Sequence, residues 1–170
     1  TVLMPVYNGA KYLGEAIESI LYQSFTDFEL LIMDDESRDD SVEIVKSYDD
    51  QRIRLVLNKT NIGQAETMNR GLKLAKAKYV ARIDQDDKMK RDRLAEQVEF
   101  LEKNPDISLV GSSCEDIDEN GTRIKYSKAP IEPFQCSFEL FVCGENPVAH
   151  PSVTFRREII ELVGGYRAEY

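Results

Sequence analysis

Four apolar runs of strand length alternate with stretches of helical period, and this rhythm restricts the fold more than any single residue does. The runs are "TVLMPVY" from Thr1, "FELLIMDD" from Phe28, "RIRLVL" from Arg52 and "YVARID" from Tyr79. Between them lie three helical faces: Leu13, Ala16, Ile17, Ile20 and Leu21; then Ile44, Val45 and Tyr48; then Ala65, Met68, Leu72 and Ala75. Apolar residues recurring at three and four mark one face of a helix, whereas short continuous runs suit strands buried on both sides. Strand and helix alternating in this way predict an α/β fold, a mostly parallel sheet with helices on both faces. A fourth helix carries Leu94, Val98 and Leu101 and stops before "NPD", because Pro105 cannot continue it. A fifth strand is expected in "ISLVGSSC" from Ile107, and a hairpin at "DENGTR", where Asn120-Gly121 supplies the turn. Beyond about residue 127 the pattern is less regular. No repeat or low-complexity linker interrupts the chain, and 170 residues suit a single domain.

A formal net charge of -9 argues against a nucleic-acid partner, which would need clustered Lys and Arg. Any phosphorylated ligand would therefore need a cation of its own. Cys114, Cys136 and Cys143 fit no metal-binding spacing and read as reduced thiols, which favours the cytoplasm. No apolar run reaches membrane-spanning length, and no signal-peptide pattern opens the chain. It begins inside a strand-like run and stops at "GGYRAEY", so a piece trimmed from a longer protein is expected.

In open parallel sheets ligands sit beyond the carboxyl ends of the strands. Three such ends carry polar or aromatic groups: "PVYN", "MDDES" and "DQDD". Tyr7 can stack on a base or pack at the sheet edge. Asp34 and Asp35 can accept hydrogen bonds from a base or ribose, or cap a helix. Asp84, Asp86 and Asp87 put three carboxylates within four positions, where like charges repel unless a cation is shared. Mg²⁺ or Mn²⁺ takes such oxygen ligands and completes its shell with water and substrate phosphates. The plainer alternative is an exposed acidic turn capping the next helix. A calcium-binding EF-hand loop starting at Asp84 fails, because Met89 and Ala95 stand where Gly and Glu are required. A phosphatase-like D-x-D-x-T fails at Lys88, and neither G-x-G-x-x-G nor G-x-x-x-x-G-K-[ST] occurs.

Three long segments, "VLMPVYNGAKYLGEAIESILYQSFTDFELLIMDD", "NIGQAETMNRGLKLAKAKYVARIDQDD" and "NPVAHPSVTFRREIIELVGGYR", together resemble the family 2 glycosyltransferases. These are inverting enzymes of the Rossmann-like GT-A fold that use nucleotide-sugar donors. The resemblance runs over essentially the whole chain. It implies one catalytic domain over residues 1–170, with a nucleotide-binding half over 1–90 and the start of an acceptor-binding half over 91–170. It implies that Pro5, Val6 and Tyr7 line a nucleoside pocket, that Asp35 contacts the base, and that Asn61, Gly63 and Asn69 lie beside the donor. Asp84, Asp86 and Asp87 match the family's D-x-D-D element, of which Asp86 and Asp87 reach the ribose, the metal and the diphosphate. The implied cofactor is Mn²⁺ or Mg²⁺.

The reaction so implied moves a sugar from a UDP-sugar to a hydroxyl of a saccharide or lipid-linked acceptor, in cell-surface polysaccharide biosynthesis. The hydroxyl attacks opposite the leaving diphosphate, a base takes its proton, and configuration inverts. Such an enzyme is expected in the cytoplasm, or peripherally at the inner face of the membrane through regions outside these residues or through partners. His150, the single histidine, lies in a segment that borders the acceptor site in the family, and is expected to face the acceptor or the diphosphate. A lone structural histidine is the alternative. Arg156 and Arg157 either neutralise phosphate or belong to a solvated helix start. Two departures stand out. Where the family commonly has Gly-Ser-Thr after its Asp pair, this chain has Glu36, Ser37 and Arg38. The family's catalytic base is expected beyond Tyr170, so no base is assigned here. A nucleotidyltransferase is the nearest other class, but it would carry a Gly-rich basic loop where "PVYNGAKYLGE" stands. A non-catalytic nucleotide-sugar-binding domain is the third.

Overall fold

A computed structural model of the 170-residue chain describes residues 1–130, 132 and 148–167. In chain order its elements are β1 (Val2–Val6), α1 (Ala10–Leu21), β2 (Leu30–Asp34), α2 (Ser41–Lys46), β3 (Ile53–Leu57), α3 (Gln64–Leu74), β4 (Tyr79–Arg82) and α4 (Arg93–Lys103). There follow β5 (Leu109–Val110), β6 (Cys114–Ile117), β7 (Arg123–Ser127), a single 3-10 turn at His150–Ser152, β8 (Thr154–Arg156) and α5 (Ile159–Val163).

Six strands form one sheet in the order β3-β2-β1-β4-β8-β5. Strands β1 to β4 run parallel, with Val2 opposite Leu30 and Ala81, and Leu30 opposite Ile53. β8 enters antiparallel between β4 and β5. The sequence rhythm accounts for the parallel part, because every residue of β1 and β2 is buried and successive side chains point to opposite faces. Val2, Met4, Val6, Leu30 and Ile32 pack with Leu13, Ile17 and Ile20 of α1 on one face. Leu3, Leu31 and Met33 pack with Met68 and Leu72 of α3, and with Phe155 of β8, on the other. Each such side chain taken out of water contributes about 1.5 to 3 kcal/mol. α3 lies so close to the sheet that a Cβ on Gly71 would come within 2.5 Å of Leu3 Cδ1.

The carboxyl half departs from the expected pattern. Of "ISLVGSSC", only Leu109 and Val110 join the main sheet, while Cys114 begins a separate hairpin, β6 with β7. That hairpin turns at Asn120-Gly121 as expected, with Gly121 at φ +79° and Asp118 accepting hydrogen bonds from the Asn120 and Thr122 N–H groups. Arg156 is neither a phosphate ligand nor part of a solvated helix start. It lies in β8, an interior strand, and is 8% exposed. Its guanidinium donates to the carbonyls of Leu101 (2.6 Å), Asn104 (3.3 Å) and Ile107 (2.9 Å) and to the Tyr79 hydroxyl (3.1 Å). It therefore satisfies carbonyls that the end of α4 leaves open. Arg157 likewise donates to Ala77 O. Cys114 is a free thiol, while Cys136 and Cys143 lie outside the described residues. Among the described residues no helix is long and apolar enough to cross a membrane.

Candidate functional site

Because β1, β2 and β4 are parallel neighbours, their carboxyl ends open on the same side. A cleft of about 240 Å³ lies there, lined by Pro5, Val6, Tyr7, Asp35, Gln64, Asp84, Gln85 and Asp86. Six of these were expected from the sequence. Gln85 was not, and it shapes the site: its amide accepts a hydrogen bond from Tyr7 N–H (2.8 Å) and donates to Tyr7 O (3.2 Å). The pair of bonds carries the pairing of β1 past its end and presents the Tyr7 ring, 45% exposed, to the cleft. Gly9 leaves the room for this, since a Cβ there would sit 2.6 Å from Gln85 Cδ. A second cleft, near 250 Å³, lies at the other end of the strands between Phe25, Phe28 and Tyr79, away from the acidic cluster.

Polar side chains tie the loop after β2 to the loop after β1. Asn8 and Glu36 take the left-handed conformation at φ 51° and 67°. Asn8 Oδ1 accepts from Arg38 N–H (2.8 Å), Ser37 Oγ from Asn8 N–H (3.0 Å), Ser41 Oγ from Gly9 N–H (2.9 Å) and Asp39 Oδ2 from Ala10 N–H (3.0 Å). The loop thus caps the open N–H groups at the start of α1. Asp34 is 3% exposed, with one oxygen accepting from Ser37 N–H (3.1 Å) and the other buried with no partner among the described residues. Its place is under the turn.

Asp35 is 4% exposed and gathers the segment that leads into α3. Its Oδ1 accepts from Asn58 Nδ2 (2.7 Å) and Ile62 N–H (2.9 Å), and its Oδ2 from Gly63 N–H (2.8 Å). Burial pushes this carboxyl up, but the hydrogen bonds it accepts, that of Ile62 foremost, outweigh burial and hold it below the usual carboxylate range. Asn61 N–H donates to Glu36, and Gly63 takes φ +83° ahead of α3. Gly63 is therefore tied to the cleft through Asp35 and Asn61 through Glu36, and neither lies on its wall.

The three carboxylates after β4 have different surroundings. Asp84 pairs with Arg82, whose guanidinium is 1% exposed and meets both carboxylate oxygens, at 2.7 and 2.5 Å. Asp86 is exposed. Asp87 is half-buried, and its carboxylate accepts no hydrogen bond from the described residues. Burial, then the charges of Asp84 and Asp86, push Asp87 up to about 6 against the pull of Arg82 and Arg93. A divalent cation at Asp86 and Asp87 would remove that repulsion, so these oxygen donors suit Mg²⁺ or Mn²⁺. Among the described residues no three His, Cys, Asp or Glu side chains converge as a metal cluster, so phosphate and water would complete the shell. The plainer alternative fails in part, because no side chain caps α4.

Asn69 does not lie on the cleft wall. It accepts from Tyr166 N–H (2.7 Å) and donates to Tyr166 O (2.9 Å), clamping the "GGYR" segment onto α3. Gly165, at φ +83°, has no room for a Cβ, which would meet Asn69 Oδ1 at 2.5 Å. The Tyr166 hydroxyl in turn lies 3.0 Å from His150 Nε2. Crowding by the surrounding chain, then the Arg82 charge, hold His150 below the ordinary imidazole value although it is exposed. His150 and Tyr166 both feel Arg82 and Asp84, which places this pair beside the end of β4.

Residues 1–162 match the family described as Glycosyl transferase family 2. The chain is 37% identical over 99% of its length to EpsE of Bacillus subtilis, provisionally named as a glycosyltransferase, and spans 60% of that protein. It is 34% identical over 95% of its length to an uncharacterized glycosyltransferase of Methanocaldococcus jannaschii, spanning 57% of it. The chain thus spans less than two thirds of the curated relatives it matches. Among solved structures, TarS of S. aureus in complex with UDP superimposes with a TM-score of 0.80 over 99% of this chain and 49% of that one, at 24% identity. The mannosyltransferase PcManGT from Pyrobaculum calidifontis, in complex with GDP-Man and Mn²⁺, gives 0.72 over 98% and 46% at 25% identity. The GT-A fold expected from the sequence is the fold observed.

Proposed function

The chain belongs to glycosyl transferase family 2, and from that premise we propose that it binds a UDP-sugar and serves an inverting transfer of the sugar to a saccharide or lipid-linked hydroxyl. The observation that carries this reading is the meeting, in one cleft, of a base-sized wall and an acidic mouth. Tyr7, Pro5 and Val6 offer an aromatic and apolar surface, Asp35 a fixed hydrogen-bond acceptor, and Asp84 and Asp86 carboxylates at the far side. Asp86 and Asp87 would hold Mn²⁺ or Mg²⁺, which would supply the positive charge that an acidic protein lacks for a leaving diphosphate. Asp84, already paired with Arg82, is left to orient ribose or sugar hydroxyls. His150 and Tyr166 border the side on which an acceptor would approach. TuaG of Bacillus subtilis, provisionally named for teichuronic acid biosynthesis, is 37% identical over 76% of the chain and supports a role in cell-surface polysaccharide assembly. Such a role places the protein in the cytoplasm or at the inner face of the membrane.

The test is a thermal-shift screen of nucleotide sugars with and without Mn²⁺, since a ligand that binds only the folded state raises the melting temperature. A rise with a UDP-sugar that needs Mn²⁺, followed by release of UDP when saccharide acceptors are added, is the expected result. Binding without UDP release would leave a non-catalytic nucleotide-sugar-binding domain, and release of pyrophosphate from UTP supplied with a sugar 1-phosphate would make it a nucleotidyltransferase.

A further inference from the structure

Two residues behind the cleft, neither of them on its wall, control the side chain that faces a bound base. Arg70 of α3 donates through one guanidinium nitrogen to Asn58 Oδ1 and to the carbonyl of Leu57 (3.2 Å). A guanidinium has no acceptor, so the Asn58 oxygen has to face it and the amide can sit only one way round. The NH₂ group of Asn58 is thereby turned to Asp35 Oδ1 (2.7 Å) and Thr67 Oγ1 (2.8 Å). Asn58 is 6% exposed and Thr67 fully buried. Were the amide reversed, a carbonyl oxygen would oppose a carboxylate away from water, an arrangement of high cost.

The consequence falls on Asp35. Asn58 and Ile62 fill its Oδ1, Gly63 fills part of its Oδ2 and the Thr67 hydroxyl is a further donor to the carboxylate, so what is left for a ligand is at most one acceptor site, on Oδ2. A carboxylate held ionised is an acceptor only. It welcomes a ring N–H on the pairing edge of a base, as uracil offers, and repels the ring-nitrogen lone pair that cytosine offers at the same place. We infer that Arg70 and Asn58 are positioning residues that set the base preference of the donor site, by presenting Asp35 as a pure acceptor to a base with a ring N–H. This rests on the proposed placement of the base against Asp35.

Calorimetric titration of the protein with UDP and with CDP, at fixed Mn²⁺, tests it. Arg70 is only half-buried on a helix, so Arg70→Ala should keep the fold, which a thermal melt verifies. The expected result is UDP binding weakened about tenfold, the scale of one charge-assisted hydrogen bond, with the UDP over CDP preference falling toward unity. Arg70→Lys, which still donates to Asn58, should restore most of the preference, and Asn58→Ala should lose it as Arg70→Ala does. A wild-type ratio of UDP to CDP affinity in folded Arg70→Ala or Asn58→Ala would overturn the inference. If instead Asp35→Asn binds both nucleotides as the wild type does, the placement of the base is at fault and the inference falls with it.

Discussion

Replacing Asp87 by asparagine should make the metal-free protein more stable and the metal-bound protein less so. The Asp87 carboxyl is pushed from 3.8 to about 6, first by burial and then by Asp84 and Asp86. Because its folded value lies above its unfolded one, the folded chain holds the proton longer. Stability therefore falls as pH rises from about 4 through about 6, and the whole penalty is present above that window. A shift of about 2 units corresponds to about 3 kcal/mol, which solvent screening of this half-buried group reduces to about 1 to 2 kcal/mol. In EDTA at pH 8, Asp87→Asn should accordingly raise the melting temperature by about 2 to 8 °C, and at pH 4 it should change little. With Mn²⁺ and UDP the order should reverse, since the wild type gains RT ln(1 + [L]/Kd) and the variant loses a metal ligand. Differential scanning calorimetry at the two pH values, with and without metal, reads all four states. A variant less stable than wild type in EDTA at pH 8, or one with an undiminished gain from Mn²⁺ and UDP, would refute the reasoning.

Three further outcomes are expected. Asp35→Ala should weaken UDP binding by about 1 to 3 kcal/mol in calorimetry, the range for losing a hydrogen bond to a charged acceptor, and unchanged affinity would count against a base contact there. Gly165→Ala should cost about 1 to 3 kcal/mol in urea denaturation, because it meets both a left-handed backbone and Asn69 Oδ1. Adding Asn69→Ala should relieve part of that cost in a double-mutant cycle, and strict additivity would show that the two do not touch. Arg156→Met should destabilise by about 2 to 4 kcal/mol with nucleotide affinity unchanged, by removing the guanidinium donors to the Leu101, Asn104 and Ile107 carbonyls and to the Tyr79 hydroxyl. A loss of UDP affinity in folded Arg156→Met would return that residue to the phosphate site.

The parallel part of the fold was readable because its signal is local. Within "FELLIMDD" the stretch Leu30 to Met33 is apolar without a break before the Asp pair, as suits a strand covered on both faces. β8 left no such signal. Three residues long, with Arg156 as its last residue and Arg157 next to it, it becomes a strand only by pairing with Tyr79–Ala81 far back in the chain. The same distinction separates the site residues. Tyr7, Asp35, Asp84 and Asp86 follow strand ends, and the position of a strand end is legible in hydrophobicity. Gln85 and Asn58 act through contacts with residues 78 and 23 positions away, and no periodicity records those. Asn69 shows how a resemblance can point to a residue and not to its work, because its partner is the backbone of Tyr166, 97 positions on.

The central claim is that the cleft at the ends of β1, β2 and β4 holds a nucleotide whose diphosphate is reached through a cation on Asp86 and Asp87. A crystal structure with UDP and Mn²⁺, with data at the manganese absorption edge, tests it most directly. The account predicts an anomalous peak within about 2.5 Å of carboxylate oxygens of Asp86 or Asp87, with the diphosphate on its far side and the uracil between Tyr7 and Asp35. A manganese peak away from both carboxylates, or a nucleotide seated at the other end of the strands between Phe25 and Tyr79, would contradict it.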